Sequence, residues 1–348
     1  MYRHTYAVID LKNLAFNVKQ LTNFLQDYKY QIAVVKADVY GHGQRAIDTI
    51  IQNGVNYLAC ATLEEALKIR KKDKIIPILC LGIIPDKYIK KCINNRITIT
   101  ISSLKQLESI NTKYFTCHIK INTGMNRLGI SSRDELNEVF NLLEKKEANI
   151  EGLYTHMYNS DNNSVTNKQI ATFKEICKDI DLTKIKIVHF GASGYALNYP
   201  KLSFVNGIRY GIAMYGILPN KIDLKSTFSL KSTIIQINEV EDAPVGYNGL
   251  YKTTGKEKIA VVPIGYADGI LRANTGRNVF INGKKYPIVG NICMDMLFVK
   301  VDDSVNLYDE VVIINDNENI FEIAEFLNTI PYEIICSIGK RVPKVYKS

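Results

Sequence analysis

The sequence predicts an α/β chain, with an N-terminal (β/α)8 barrel over residues 1–222 followed by a mainly β domain over residues 223–348. Eight short β-rich runs alternate with helix signals up to about residue 222, the rhythm of a closed parallel barrel. Beyond that point the rhythm gives way to β-like runs separated by Gly, Asn and Asp turns. The chain has 348 residues, 46% of them hydrophobic and only 23% charged, enough to bury a large core. A doubly wound open sheet is the other architecture that rhythm alone allows.

The opening residues, MYRHTYAVID, form a short alternating segment able to pair with the β domain. They lack the long apolar run of a signal peptide or membrane span, so a cytoplasmic protein is expected. Leu11, Leu14, Val18, Leu21 and Leu25 then recur at spacings of three and four, predicting a helix over 11–28 with Asp10 as its N-cap. The predicted barrel strands are 32–37, 56–62, 75–82, 96–101, 115–121, 150–156, 185–190 and 203–208. Capping boxes are read at Thr62 with Glu65, Ser103 with Gln106, Ser132 with Glu135 and Thr166 with Gln169. In the β domain the runs TFSLKSTIIQINEV, KIAVVPIGYA, NVFINGKKYPIVG, MLFVKV and DEVVIIN read as strands, with one helix near 320–328.

The net charge is +9, but the lysines are dispersed, which argues for solvated side chains rather than a nucleic-acid surface. The seven cysteines, Cys60, Cys80, Cys92, Cys117, Cys177, Cys293 and Cys336, stand singly without a CxxC pair. That pattern fits reduced thiols, mostly in the core, rather than disulfides or a zinc site. No Rossmann or Walker glycine pattern is present.

Catalytic groups of a parallel barrel gather at the C-terminal ends of its strands. The first predicted strand ends in VVKADVYGHG, leaving the Lys36 ammonium at the end of an apolar run. Snorkelling to solvent is one explanation; an amine desolvated for Schiff-base chemistry is the other. The fifth run contributes Lys120 and Arg127, the sixth His156, the seventh Ser193 between glycines, and the eighth leads to Arg209 and Gly211. These are donors and cations suited to one anionic, aromatic ligand.

In order and spacing, VVKADVYGHG, KINTGMNRLG, YTHM, RYGIAMYG, PIGYADG and PIVGNICMDM resemble the motifs of bacterial alanine racemases across nearly the whole chain. The resemblance implies a barrel plus β domain, pyridoxal 5'-phosphate as cofactor, and a head-to-tail homodimer. It implies that Lys36 holds the cofactor covalently, while Tyr40, Ser193 and the amides near Gly211 and Ile212 hold its phosphate. His156 would pack near the ring and Arg209 would face the ring nitrogen, with His189 behind it. Arg127 would contact the cofactor's phenolic oxygen and help hold the substrate carboxylate, oriented by a carboxylated Lys120. Racemisation needs an acid and a base on opposite faces of the α-carbon. Lys36 would serve one face and Tyr266, supplied with Met294 and Asp295 by the other subunit, the second; the methionine amide would contact substrate carboxylate. The implied activity is interconversion of L- and D-alanine, supplying D-alanine for peptidoglycan.

Two positions depart from the family pattern. Ala192 stands where an asparagine usually precedes the serine, and Lys340 where a tyrosine usually contacts the phosphate. Lysine can replace that contact as a point charge or reshape the pocket. Serine or another small amino acid is therefore the alternative substrate; a basic amino-acid decarboxylase and a non-catalytic cofactor-binding barrel are further alternatives.

Overall fold

The computed structural model describes residues 2–218, 222–315 and 317–348. The expected domain boundary after residue 222 adjoins residues 219–221, which lie outside the described residues.

Strand β1 (Tyr6–Asp10) comes first. The eight barrel strands follow: β2 (Tyr30–Val34), β3 (Tyr57–Cys60), β4 (Ile78–Cys80), β5 (Ile97–Ile101), β6 (Thr116–Lys120), β7 (Asn149–Tyr154), β8 (Ile187–Phe190) and β9 (Gly207–Tyr210). They pair in parallel and close on themselves through β2 and β9, so the fold is a barrel and not an open sheet. The last strand begins later than expected, because the chain turns at Ser203–Phe204 and Asn206 instead ties the strand's start to β8. That shift puts Arg209 within the strand.

The β domain comprises β10 (Phe228–Thr233), β11 (Gln236–Glu241), β12 (Pro244–Val245), β13 (Tyr251–Lys252), β14 (Lys256–Val262), β15 (Asn278–Ile281), β16 (Lys284–Val289), β17 (Leu297–Val301), β18 (Glu310–Ile314) and β19 (Lys344–Lys347). Its main sheet runs β11-β14-β17-β16-β15-β18-β10-β1-β19. The first strand of the chain therefore sits between β10 and the last strand, antiparallel to one and parallel to the other.

Side-chain caps begin five of the α-helices among the described residues. Asp10 accepts from the Asn13 amide and starts the helix Leu11–Phe24, whose Leu14, Val18 and Leu21 are buried. The Thr62–Glu65 capping box is reciprocal, and Ser103 and Ser132 each cap their helices. The fourth expected box is corrected: Thr166 lies inside the helix Asn163–Ile176, which Asn162 caps. Gln169 is instead buried, donating to Thr123 Oγ1 at 2.8 Å and to the His156 carbonyl at 3.1 Å. The helix expected near 320–328 spans Asn317–Phe326. Five cysteines are buried, Cys293 is half-buried and Cys336 exposed, and none is disulfide-bonded.

Candidate active site

Directly after β2, residues Ala37, Asp38, Val39 and Tyr40 take φ of 53°, 52°, 60° and 49°, a left-handed turn without a glycine. Each L-residue there costs about 1–2 kcal/mol, so the surroundings must impose the turn. They do so through the Gly41 amide on the Ala37 carbonyl (2.9 Å), the Gly43 amide on the Asp38 carbonyl (2.8 Å), and Glu65 accepting from the Ala37 amide (2.7 Å). Lys344 of β19 pairs with Asp38 at 3.1 Å and ties the turn to the β domain. The consequence is that Lys36 and Tyr40, four residues apart, both line one cavity.

That cavity, of about 810 Å³, opens at the C-terminal ends of the barrel strands. It brings together Lys36, Tyr40, Lys120, Arg127, His156, Ser193, Arg209, Gly211 and Ile212, every residue proposed to face cofactor or substrate from the barrel. Among the described residues the Lys36 side chain forms neither an ion pair nor a hydrogen bond, so no protein group holds it away from the cavity. At one end the Ser193 hydroxyl accepts from the Gly211 amide at 3.2 Å and the Ala213 amide at 3.4 Å. A Cβ on Gly211 would come within 3.0 Å of the Tyr40 hydroxyl and press it from its place, so glycine lets the hydroxyl sit close to the backbone there. Two hydroxyls beside the start of a short 3₁₀ turn, Ile212–Tyr215, form a site shaped for a phosphate.

At the other end Arg209 is buried between neutral acceptors. Its guanidinium donates to His189 Nδ1 at 2.6 Å and to the Thr155 carbonyl at 2.7 Å. Burial lowers its pKa to about 10, so it remains a cation near neutrality. Burial and the neighbouring Arg209, Arg127, Lys120 and Lys36 cations lower His156 to about 3, leaving its imidazole neutral. Lys120 is lowered to about 8 by burial and by Arg127 and Arg209. The cavity thus carries an excess of positive charge fit for an anionic ligand.

The β-domain candidates lie elsewhere. Tyr266 is 41% exposed and Met294 52% exposed, and neither lines the cavity of its own chain. Asp295 pairs with Arg341 at 2.6 Å. Tyr266 opens a tight turn whose amides bond the Cys293 and Met294 carbonyl groups, which holds PIGYADG against NICMDM. A Cβ on Gly265 would meet those carbonyls at 2.3–2.6 Å. Lys340 is exposed and does not line the cavity; Tyr332 does, so the phosphate contact expected of Lys340 finds no support in the geometry. The chain turns at Gly339, whose amide is held by the Asp268 carbonyl, and this leaves the Lys340 side chain in solvent. Ala192 lines the cavity and occupies the N-cap of the helix Ser193–Asn198 without a side-chain cap.

Comparison with known proteins agrees with this fold. Residues 9–219 match the family described as alanine racemase, N-terminal domain, and residues 227–346 its C-terminal domain. The chain belongs to the alanine racemase family. It is 35% identical to the alanine racemase of Halalkalibacterium halodurans, covering 99% of this chain and 95% of that one. The structure of alanine racemase from Bacillus anthracis with bound L-Ala-P superimposes with a TM-score of 0.94 at 32% identity, covering 100% of this chain and 96% of that one. That from Clostridium difficile 630 does so with a TM-score of 0.93 at 35% identity, again covering 100% and 96%. As a member of this family the chain is an enzyme of the isomerase class.

Sequence reasoning missed two buried groups behind Arg209: His118 on β6 and Glu151 on β7. A signal was present. His118 alternates with Lys120 on one strand face, and Glu151 interrupts an apolar strand.

Proposed function

We propose that this chain interconverts L- and D-alanine with pyridoxal 5'-phosphate as cofactor, and that its product D-alanine passes to peptidoglycan. The observation that carries the reading is an unpaired Lys36 amine sharing one cavity with the Ser193–Tyr40–Gly211 cradle and the buried Arg209. When bound, the cofactor supplies a conjugated electron sink that acidifies the α-hydrogen of an attached amino acid.

The protein's own groups do the rest. Lys36 Nζ holds the cofactor and moves the α-proton on one face. Tyr40, Ser193 and the amides of Gly211 and Ile212 would hold the phosphate, while the neutral His156 would pack beside the ring without adding charge. Arg209, held by His189 and the Thr155 carbonyl, offers only N–H donors at that end of the cavity, so it would accept no proton and would leave a cofactor ring nitrogen facing it unprotonated. Arg127 at the mouth holds the substrate carboxylate. Lys120, lowered to about 8, has an accessible neutral amine; its attack on carbon dioxide gives a carbamate and a released proton, and the carbamate would orient Arg127.

The second face needs a group from outside the chain's own cavity, and Tyr266 is assigned to it from a second subunit. Tyr247, Leu250, Tyr266, Leu271, Met294 and Met296 are all exposed, a concentration of apolar side chains on the β domain that suits a subunit interface. Met294 and Asp295 would accompany the tyrosine into the partner's site, the Met294 amide meeting substrate carboxylate. The site of action is taken to be the cytoplasm, a reading the unpaired cysteines support. No helix among the described residues is long and apolar enough to cross a membrane.

The test is incubation with the cofactor and L-alanine or L-serine in deuterium oxide, following α-hydrogen exchange and each D-enantiomer. Faster turnover of alanine is expected. Preference for serine would make Ala192 and Lys340 the first suspects for specificity, and no exchange with either substrate would refute the reading.

A further inference from the structure

Behind Arg209 a chain of buried hydrogen bonds runs down the barrel. Arg209 Nη1 lies 2.6 Å from His189 Nδ1, His189 Nε2 lies 2.8 Å from His118 Nδ1, and His118 Nε2 lies 3.4 Å from Glu151 Oε2. The Glu151 carboxylate also accepts from Tyr57 (2.8 Å), Thr98 (3.3 Å) and Lys186 (2.7 Å). Lys186, 60% exposed, brings the chain to solvent at the barrel floor.

Both ends dictate the same proton arrangement. Arg209 offers only donors, so His189 Nδ1 must accept and the ring carries its proton on Nε2. That proton is donated to His118 Nδ1, which leaves the His118 proton on Nε2, facing a carboxylate that can only accept. Burial lowers the pKa of both histidines, in keeping with neutral rings. Had either ring the other tautomer, two N–H groups or two lone pairs would face each other in the core.

The backbone is shaped for this arrangement. The β6–β7 register slips at one point: Cys117 pairs with Ile150 and His118 with Gly152, leaving Glu151 as the extra residue of a bulge. A Cβ on Gly152 would come within 2.8 Å of the His118 ring, and one on Gly207 within 2.9 Å of His189 Cβ. A bulge and two glycines thus make room for one carboxylate and two imidazoles.

We propose that Glu151 and His118 are positioning residues that fix the His189 tautomer and through it hold the Arg209 guanidinium toward the cofactor end of the cavity. The carboxylate is the counter-charge of Arg209, relayed through two aligned neutral rings. The functional half of this proposal rests on the cofactor reading above; the tautomer half does not.

The test is a long-range 1H–15N spectrum of the histidine side chains, recorded without added cofactor. The chain has only five histidines, and one is an internal control. His42 Nδ1 faces the Val39 and Tyr40 carbonyl groups at 3.1 and 2.9 Å, so it carries the opposite tautomer. Expected are Nε2–H signatures for His118 and His189 and an Nδ1–H signature for His42. An Nδ1–H or doubly protonated His118 or His189 at neutral pH overturns the proposal, whatever the enzyme's cofactor.

Two variants then test the relay. Glu151→Gln keeps an acceptor and is expected to preserve both signatures and keep affinity for pyridoxal 5'-phosphate within about threefold. Glu151→Leu removes the acceptor; it is expected to mix the tautomers of His118 and His189, leave His42 unmoved, and weaken affinity by about tenfold or more. A folded Glu151→Leu protein with unchanged histidine signatures overturns the relay. Changed signatures with unchanged affinity overturn its role toward Arg209. If the leucine variant does not fold, an Nδ1–H signature for His118 or His189 in the parent, or the loss of either Nε2–H signature in Glu151→Gln, still overturns the proposal.

Discussion

Replacing Asp268 by asparagine should loosen the turn that carries Tyr266. The Asp268 carboxylate is wholly buried and accepts from Arg3 Nη1 at 2.7 Å, Arg3 Nη2 at 2.5 Å and the Gly265 amide at 3.1 Å, and it forms an ion pair with Arg341 Nε at 3.5 Å. It therefore joins the first residues of the chain, the Tyr266 turn and the segment entering β19. Asparagine keeps the volume but sets an NH2 against a guanidinium. Breaking a fully buried pair costs about 3–5 kcal/mol. The Arg3 and Arg341 side chains are 25% and 50% exposed, so solvent recovers part, and about 2–3 kcal/mol remains. With an unfolding entropy of about 2.1 cal/mol/K per residue, a chain of this size has about 0.7 kcal/mol/K, and the melting temperature should fall by about 3–4 °C. Denaturant unfolding followed by circular dichroism, with calorimetry alongside, measures both quantities. Racemisation should suffer more than cofactor affinity, because Tyr266 and not Lys36 is displaced. A variant within about 0.5 kcal/mol of the parent would refute the reasoning, since that is the scale of an ordinary surface substitution.

Three further outcomes follow from individual sites. Burial lowers the His42 pKa to about 4 from an unfolded value of 6.5, so the unfolded chain takes up a proton that the folded chain refuses. Stability contributed here is complete above about 6.5 and falls by about 3 kcal/mol as pH drops to about 4; unfolding curves across that window should be flatter for His42→Gln, and identical slopes would contradict the burial argument. In 13C-bicarbonate buffer a carbamate carbon signal should strengthen as pH rises toward 8, where the Lys120 amine becomes neutral, and should vanish in Lys120→Arg; a signal that survives the substitution arises elsewhere. Ala192→Asn should supply the missing cap of the helix Ser193–Asn198 and raise stability by about 1 kcal/mol, visible as a higher unfolding midpoint; a loss would mean that the asparagine side chain cannot reach the helix amides.

The barrel strands were legible because parallel strands buried on both faces leave continuous apolar runs, with Lys36, His156 and Ser193 at or just past their ends; rhythm alone left closure open, since an open sheet has the same runs. The left-handed turn after Lys36 was not. Nothing in Ala37–Tyr40 favours that conformation, which is imposed by Glu65 and Lys344, residues remote in sequence. Thr166 with Gln169 satisfied a capping pattern, yet Asn162 begins the helix and Gln169 serves the core, because a two-residue signature says nothing about burial. Glu151 escaped notice since its orientation depends on a bulge, and bulges arise from pairing between strands rather than from either strand alone. Local pattern likewise does not show that Tyr266 and Met294 stand exposed and away from the cavity of their own chain, since that depends on how the β domain packs on the barrel.

The central claim is that Lys36 and Tyr266 of different subunits complete one site. Subunit complementation tests it most directly. Lys36→Ala and Tyr266→Phe are each expected to lose racemisation alone. When equal amounts are unfolded together and refolded with cofactor, half the dimers are mixed and half of their sites contain both native groups, so about one quarter of the parent activity should return. No recovery from a mixture shown to contain mixed dimers would contradict a shared site, and full activity in either single variant would contradict the pair itself.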